Sequence, residues 1–335
     1  MQKINGLPTR RKLLGAAGLL MMGAAGLQRP AHAAGPDGWP TKPVRVICNF
    51  PPGSSPDVLA RAISLPLQQS FGQPVVVENR AGASGLIGAE AVAKSPPDGY
   101  TLLMTAGSTI TTNPFIYPKM PYDTERDLTP VAATARLVLF LVARADLPVK
   151  DIKEFLAYLK ANPGKVSYGS AGNATGLHLA GEMLKSQAGV YAVHVPYRGA
   201  SPALQDLLAG QIDFYFDPGI ALSHVRTGKL RMLAAASLKR SPAFPDIPTL
   251  HEAGLKGFDA GTTHGFYAPA GTPAPLIEYM NREVNQALSQ PAVRTQIANM
   301  GAEPTPMTPA QFAALMKDDS RRYAAVIKER NIRAE

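Results

Sequence analysis

The chain has 335 residues, with 34 Lys and Arg against 25 Asp and Glu for a formal charge of +9, and one cysteine. No intramolecular disulfide is available, so stability has to come from burial, which a chain of this length supplies. No basic run is interleaved with aromatics, so the surplus charge reads as solvated surface and nucleic-acid binding is excluded.

In chain order, residues 1–33 read as an export signal rather than as fold. Basic Arg10, Arg11 and Lys12 precede an apolar run over 13–27 broken only by glycines, and Ala31-His32-Ala33 is a small-x-small site with the cut expected before Ala34. Residues 9–14 resemble a twin-arginine signal with Leu13 where Phe is usual, and general secretion is the alternative route. The run is shorter than the roughly 20 residues a membrane span needs. Losing Lys3, Arg10, Arg11, Lys12 and Arg29, and no acid, lowers the charge from +9 to +4. Cys48 stands well beyond the cut and inside a predicted strand, so a lipid anchor is not expected and a free, soluble periplasmic protein is.

Beyond residue 33, short β-branched or apolar runs alternate with helical periodicity, the pattern of α/β lobes on parallel sheets. Strands are predicted at 44–49, 75–78, 101–105, 137–143, 165–169, 191–195, 212–216, 230–235 and 265–268. Helices are predicted at 57–70, 85–94, 152–161, 177–187, 202–209, 221–227, 275–289, 291–300 and 309–328. Residues 113–129, with three prolines, read as an irregular connection before an apolar run, 131–143, that crosses between lobes. The polar, Pro-rich stretch 241–248 reads as the return crossing. This division puts 34–136 with 241–335 in lobe I and 137–240 in lobe II, a two-crossing hinge able to close on a ligand.

The most informative stretch is 48–57, where a β-branched strand runs through Phe50-Pro51-Pro52-Gly53-Ser54-Ser55-Pro56-Asp57 into a helix. The first N–H groups of a helix lack internal partners and carry about half a positive charge, so this turn is an anion seat. Gly53 lets backbone approach a ligand, Ser54 and Ser55 offer hydroxyls, and Asp57 stands where an N-cap or first-turn acid would. The stretch 166–175, with Ser170, Gly172, Asn173 and Thr175, repeats the arrangement. Two such seats on two lobes suit a carboxylate. Tyr197-Arg198-Gly199 and Phe216-Asp217-Pro218-Gly219 follow two of the middle strands, at the strand ends where α/β sheets place ligands. Asp217 there accepts from a ligand or holds the opposite loop, and Arg198 pairs with a carboxylate or stays on the surface.

Other chemistry finds little support. Gly82, Gly85 and Gly88 are spaced three apart rather than as G-x-G-x-x-G, and the next strand ends in Thr105-Ala106-Gly107-Ser108 with no acid for a ribose. Tyr168-Gly169-Ser170-Ala171-Gly172 lacks the first glycine of a nucleophile elbow, and His178 with Glu182 lacks a third metal ligand. His194, His224, His251 and His264 are scattered. No catalytic residue, cofactor or metal is therefore expected. The rival readings are a periplasmic enzyme using Asp217 or His264 as base, and a co-sensor presenting its loaded form to a membrane kinase.

The blocks 39–43, 50–57 with Ala60-Arg61, 78–83, 97–103, 170–172 with 178–180, 195–199, 206–213 and 268–273 together resemble a known family. It is the Bordetella-uptake-gene family, the solute receptors of tripartite tricarboxylate transporters, and the likeness runs through nearly the whole exported chain. The resemblance implies a two-lobed, Venus-flytrap periplasmic-binding-protein fold of type II, a central sheet flanked by helices in each lobe, and no enzymatic activity. It implies a small organic acid (dicarboxylate, tricarboxylate, acidic amino acid or aromatic acid) held with ordered waters and delivered to membrane permease subunits by a monomer. With the strand-end reading, the candidate ligand residues are Phe50, Gly53, Ser54, Ser55, Asp57, Ala106, Ser108, Ser170, Gly172, Asn173, Thr175, Tyr197 and Asp217. Three positions depart from the family pattern. Ser54 stands for a second glycine, with Pro56 stiffening the turn. Thr263-His264-Gly265 stands for Trp-x-Gly, which makes that wall roomier or more polar. Arg198 stands for a commoner lysine, a planar fork for a point charge.

Overall fold

The computed structural model describes residues 35–329 and residue 332; the export-signal reading of 1–33 lies outside them. The elements are β1 Val44–Cys48, α1 Ser55–Phe71, β2 Val75–Asn79, α2 Leu86–Ala93, β3 Thr101–Thr105, α3 Gly107–Thr111, α4 Asn113–Ile116 and β4 Leu128–Leu137. There follow β5 Phe140–Arg144, α5 Ile152–Ala161, β6 Ser167–Ser170, α6 Gly176–Ala188, β7 Val193–Pro196, α7 Ala200–Leu208, β8 Phe214–Asp217, α8 Leu222–Arg226 and β9 Leu230–Ala235. The chain closes with β10 Thr262–Pro269, α9 Ala274–Ser289, α10 Pro291–Asn299, β11 Glu303–Pro304 and α11 Pro309–Glu329.

They build two sheets, one of order β11-β4-β10-β3-β1-β2 and one of order β7-β6-β8-β5-β9. Alternation along the strands splits the first sheet's core in two. Val44 and Val46 of β1, with Leu102 and Met104 of β3, pack with Leu59, Ile63 and Leu67 of α1 and Val284 of α9. Ile47, Leu103 and Tyr267 point the other way, to Leu86 and Val92 of α2 and Phe312 of α11. The second sheet has its own core, in which Phe155 of α5, Leu184 of α6 and Leu207 of α7 cover Tyr168, Phe214 and Phe216. Central strands such as β1, β3, β5 and β8 are buried along nearly their whole length, which is why they read as nearly continuous apolar runs, while the edge strands β2 and β7 are partly exposed.

Three expectations need correction. The sheets are mixed, not parallel: β1 is parallel to β2 and β3, and β6 to β7 and β8, but β10 is antiparallel to β3 and β4, and β5 to β8 and β9. The cause is the crossing itself. In the first sheet the departing strand β4 lies beside the returning strand β10, and in the second the arriving strand β5 lies beside the departing strand β9, so each such pair runs in opposite directions. Secondly, 137–143 is not one strand. The ladder stops at Leu137 and resumes at Phe140 in the other sheet, with Val138 and Leu139 making the passage. Thirdly, 113–129 is not all irregular: α4 turns at its start and β4 begins at Leu128, and the short helix α3 just before it was not predicted. Late in the chain, Tyr323 and Ile327 of α11 pack with Ile116 and with Ala174 and Leu179, so α11 touches the second half as well as the first. No helix among the described residues is long and apolar enough to cross a membrane.

Candidate functional site

The turn after β1 is held by its own acid. Asp57, 3% exposed, accepts from Gly53 N at 2.9 Å, Asn79 Nδ2 at 2.8 Å and Arg61 Nε at 3.0 Å. Burial alone raises its pKa, and the bonds from Arg61, Asn79 and the Gly53 N–H outweigh that and hold it below the usual carboxylate range. Gly53 sits at φ +74, which a side chain would strain. Ser54 is the N-cap of α1 by position, yet it caps nothing: its hydroxyl donates back to the Pro51 carbonyl at 2.7 Å. Ser55 Oγ lies 2.9 Å from His264 Nε2. The opening N–H groups of α1 are left without a side-chain cap.

The loop after β6 repeats this logic. Thr175 is the N-cap of α6 by position, and its hydroxyl donates to the Gly172 carbonyl at 2.7 Å instead of capping. Ser170 Oγ accepts from Gly172 N at 3.1 Å and lies 2.7 Å from His194 Nε2, which stacks on His178 with ring centroids 4.2 Å apart. His178 Nδ1 accepts from Ala174 N at 3.2 Å, and Ala174 is held at φ +68. His178 and Glu182 thus serve local packing, and among the described residues no cluster could hold a metal ion.

The two loops meet at one cavity. Ser54, Ser55 and Pro56 at the start of α1, Thr175, Gly176 and Leu177 at the start of α6, and Ala200 at the start of α7 line it, with Ala106 and Ser108 after β3. Phe50, Ala171, Pro218, Thr262 and His264 complete the wall, which contains no Arg, Lys, Asp or Glu. Its volume is about 30 Å³. Phe50 and Ala171 also face a neighbouring space of about 240 Å³, lined by Gly172, Asn173, Tyr197 and Arg198. Arg198 has no ion-pair partner among the described residues.

Of the thirteen candidate residues in the sequence reading, Phe50, Ser54, Ser55, Ala106, Ser108 and Thr175 line the inner cavity, and Gly172, Asn173 and Tyr197 the outer space. Gly53, Asp57, Ser170 and Asp217 line neither. Asp217 is fully buried and serves its own loop, accepting from the Tyr215 hydroxyl and from Gly219 N at 3.0 Å, Ile220 N at 3.1 Å and Ala221 N at 3.0 Å. Burial pushes its carboxyl up to about 6, against the downward pull of those donors. The loop that it shapes delivers Pro218 to the cavity.

Thr262 was missed, and His264, read only within the 263–265 stretch of the wall, was left out of the candidate ligand residues. Their signal was the period of two in Thr262-Thr263-His264, which puts both on one face of β10. His264 is 1% exposed, and burial without a charged partner draws it down to about 3, so it is a neutral imidazole. Its contact with Ser55 has nucleophile–base spacing, but among the described residues Nδ1 has no hydrogen-bond partner, so no carboxylate orients the ring as in a triad.

Two sheets, each sending a strand-turn-helix loop to a shared cavity free of ionised side chains, define a two-lobed solute-binding protein. The chain belongs to the tripartite tricarboxylate transporter receptor family: residues 59–332 match the family model described as tripartite tricarboxylate transporter family receptor (TctC). BugT of Bordetella pertussis is 38% identical over 321 residues, covering 95% of this chain and 97% of that protein. Among solved structures, R. palustris Rpa4515 with adipate superposes at TM-score 0.85 with 32% identity, over 88% of this chain and 99% of that one. MatC from Rhodopseudomonas palustris with bound malate superposes at 0.82 with 34% identity, over 86% and 100%. These matches bear out the family resemblance and the two-lobed fold, and place the chain among receptors rather than enzymes.

Proposed function

We propose that this chain is a periplasmic receptor that closes on a small organic carboxylate and delivers it to the membrane permease subunits of a tripartite tricarboxylate-type transporter. The observation that carries the reading is the pair of uncapped helix starts, α1 from the first half and α6 from the second, aimed at one cavity with no cation in its wall. A helix N-terminus favours an anion by roughly 0.3–1 kcal/mol when exposed and up to about 2 kcal/mol when partly buried. Two of them, with the hydroxyls of Ser55 and Ser108, supply neutral donors for a carboxylate. The relatives solved with adipate and malate support an acid with two carboxylates among the ligands.

The lobes in this reading are 34–136 with 241–335, and 137–240, hinged at Val138-Leu139 and at the longer return between β9 and β10. A cavity of about 30 Å³ has room for a water or two rather than an acid, so the lobes have to part to admit one. The ligand favours the closed form only through contacts made to both halves. An N-terminal export signal, twin-arginine-like or general, would place the protein in the periplasm, and the family name supports the permease as partner.

A thermal-shift screen of adipate, malate, citrate, aspartate and benzoate, each beside its uncharged amide, tests this. An acid at about a hundred times its Kd adds about 2.7 kcal/mol, a rise of roughly 5 °C for a chain of this size. Equal shifts for acids and amides, or none for any acid, would end the carboxylate reading.

A further inference from the structure

Ser55 opens α1, and its Oγ meets Nε2 of His264 at 2.9 Å, joining α1 to β10 across the cavity wall. No other hydrogen bond is made by that hydroxyl among the described residues, and Nδ1 of His264 is buried without a partner. A neutral imidazole carries its proton on one nitrogen, and a serine hydroxyl has one proton to give. Two arrangements follow. With the imidazole proton on Nδ1, a buried N–H is left with no acceptor, and Ser55 must give its own proton to Nε2. The cavity then sees only serine lone pairs, which repel an anion. With the proton on Nε2, the imidazole donates to Ser55 Oγ, the orphan is an acceptor, and the serine proton is free to turn to the ligand. Orphaned buried N–H groups are the rarer kind in folded proteins, and a carboxylate at the start of α1 can only accept.

We propose that His264 is a positioning residue for anion binding: held as the Nε2–H tautomer, it fixes Ser55 as a donor to the ligand carboxylate. This rests on the carboxylate reading and sharpens it. A ligand that offers an N–H or O–H donor at the same place meets a donor, so the pair selects the ionised acid over its amide or alcohol.

The test is nitrogen NMR of the full-length exported protein labelled with ¹⁵N-histidine, with His264→Gln used to assign the signal. The expected result is the Nε2–H form in the protein alone and with adipate or malate added. An Nδ1–H form or an imidazolium at neutral pH overturns the proposal. Affinity measurements give a second reading: His264→Gln, whose amide N–H₂ still donates toward Ser55, keeps acid affinity within about threefold, and His264→Leu loses about tenfold or more. Equal affinity in His264→Leu and wild type overturns it as well. If wild type binds no acid, the functional reading fails, and the tautomer of the unliganded protein still decides what His264 does.

Discussion

Thr112 Oγ1 donates to the Ala174 carbonyl at 2.6 Å, tying the end of α3 to the loop that opens α6, while the Ser108 carbonyl at 2.8 Å competes for the same proton. Neighbouring bonds reinforce this tie between the halves. Ser84 Oγ donates to the Asn173 carbonyl, the Tyr117 hydroxyl approaches the same oxygen at 3.4 Å, and Ser201 Oγ donates to the Pro52 carbonyl at 3.2 Å. The two halves are therefore joined by direct loop-to-loop bonds, which in the proposed function add to the ligand in holding the lobes closed.

Thr112→Val removes the tie while keeping shape. A net hydrogen bond contributes about 1 kcal/mol, so the acid Kd should weaken about fivefold by isothermal titration. An unchanged Kd would show that closure does not use this bond.

Asp217 should matter for stability before it matters for binding. Asp217→Ala strands the Tyr215 hydroxyl and three backbone N–H groups in a buried site, and the expected loss is about 3 kcal/mol in urea unfolding. Loss of ligand affinity with full stability would instead make Asp217 a ligand contact.

Stability should fall on mild acidification. His264 titrates at about 3 in the fold and at about 6.5 unfolded, so between those values the unfolded chain holds a proton that the folded chain does not. Its contribution is complete above about pH 6.5 and declines below it by up to about 1.4 kcal/mol per pH unit. His194, drawn down to about 3 by burial and then by the charges of His178 and Lys185, adds in the same direction. Urea midpoints from about pH 7 to about pH 5 should show the decline, shallower in His264→Gln; a flat profile contradicts it.

Filling the cavity should separate folding from binding. Ser54 is 2% exposed at its wall and carries no cap bond, so Ser54→Leu costs little helix capping but occupies the space where a carboxylate would sit. Secondary structure should survive in circular dichroism while the acid-induced melting shift disappears. A retained shift would move the ligand elsewhere.

Both strand-turn-helix loops were legible because their punctuation is local: Gly53 and the paired serines after β1, and Gly172 with Asn173 after β6, mark turn and helix start by themselves. The run 131–143 was read as a crossing, but the break at Val138-Leu139 was not legible, since the apolar residues 137–143 carry no sign of where the ladder changes sheets. The helix α3 was hidden by its own composition, Gly107-Ser108-Thr109-Ile110-Thr111, which is poor in helix formers and held by the tertiary contacts around it. Asp217 stayed ambiguous because a strand-end acid looks the same whether its donors come from a ligand or from the next turn. The resemblance put 263–265 in the wall, but that His264 shares a cavity face with Thr262 followed only from β10 beginning at Thr262.

The most direct measurement is a crystal structure of the protein with the acid that stabilises it most. The account predicts carboxylate oxygens within about 3 Å of main-chain N–H groups at the starts of both α1 and α6, with Ser55 donating to one of them. A carboxylate seated away from both helix starts, for instance on Arg198 alone in the outer space, would contradict it.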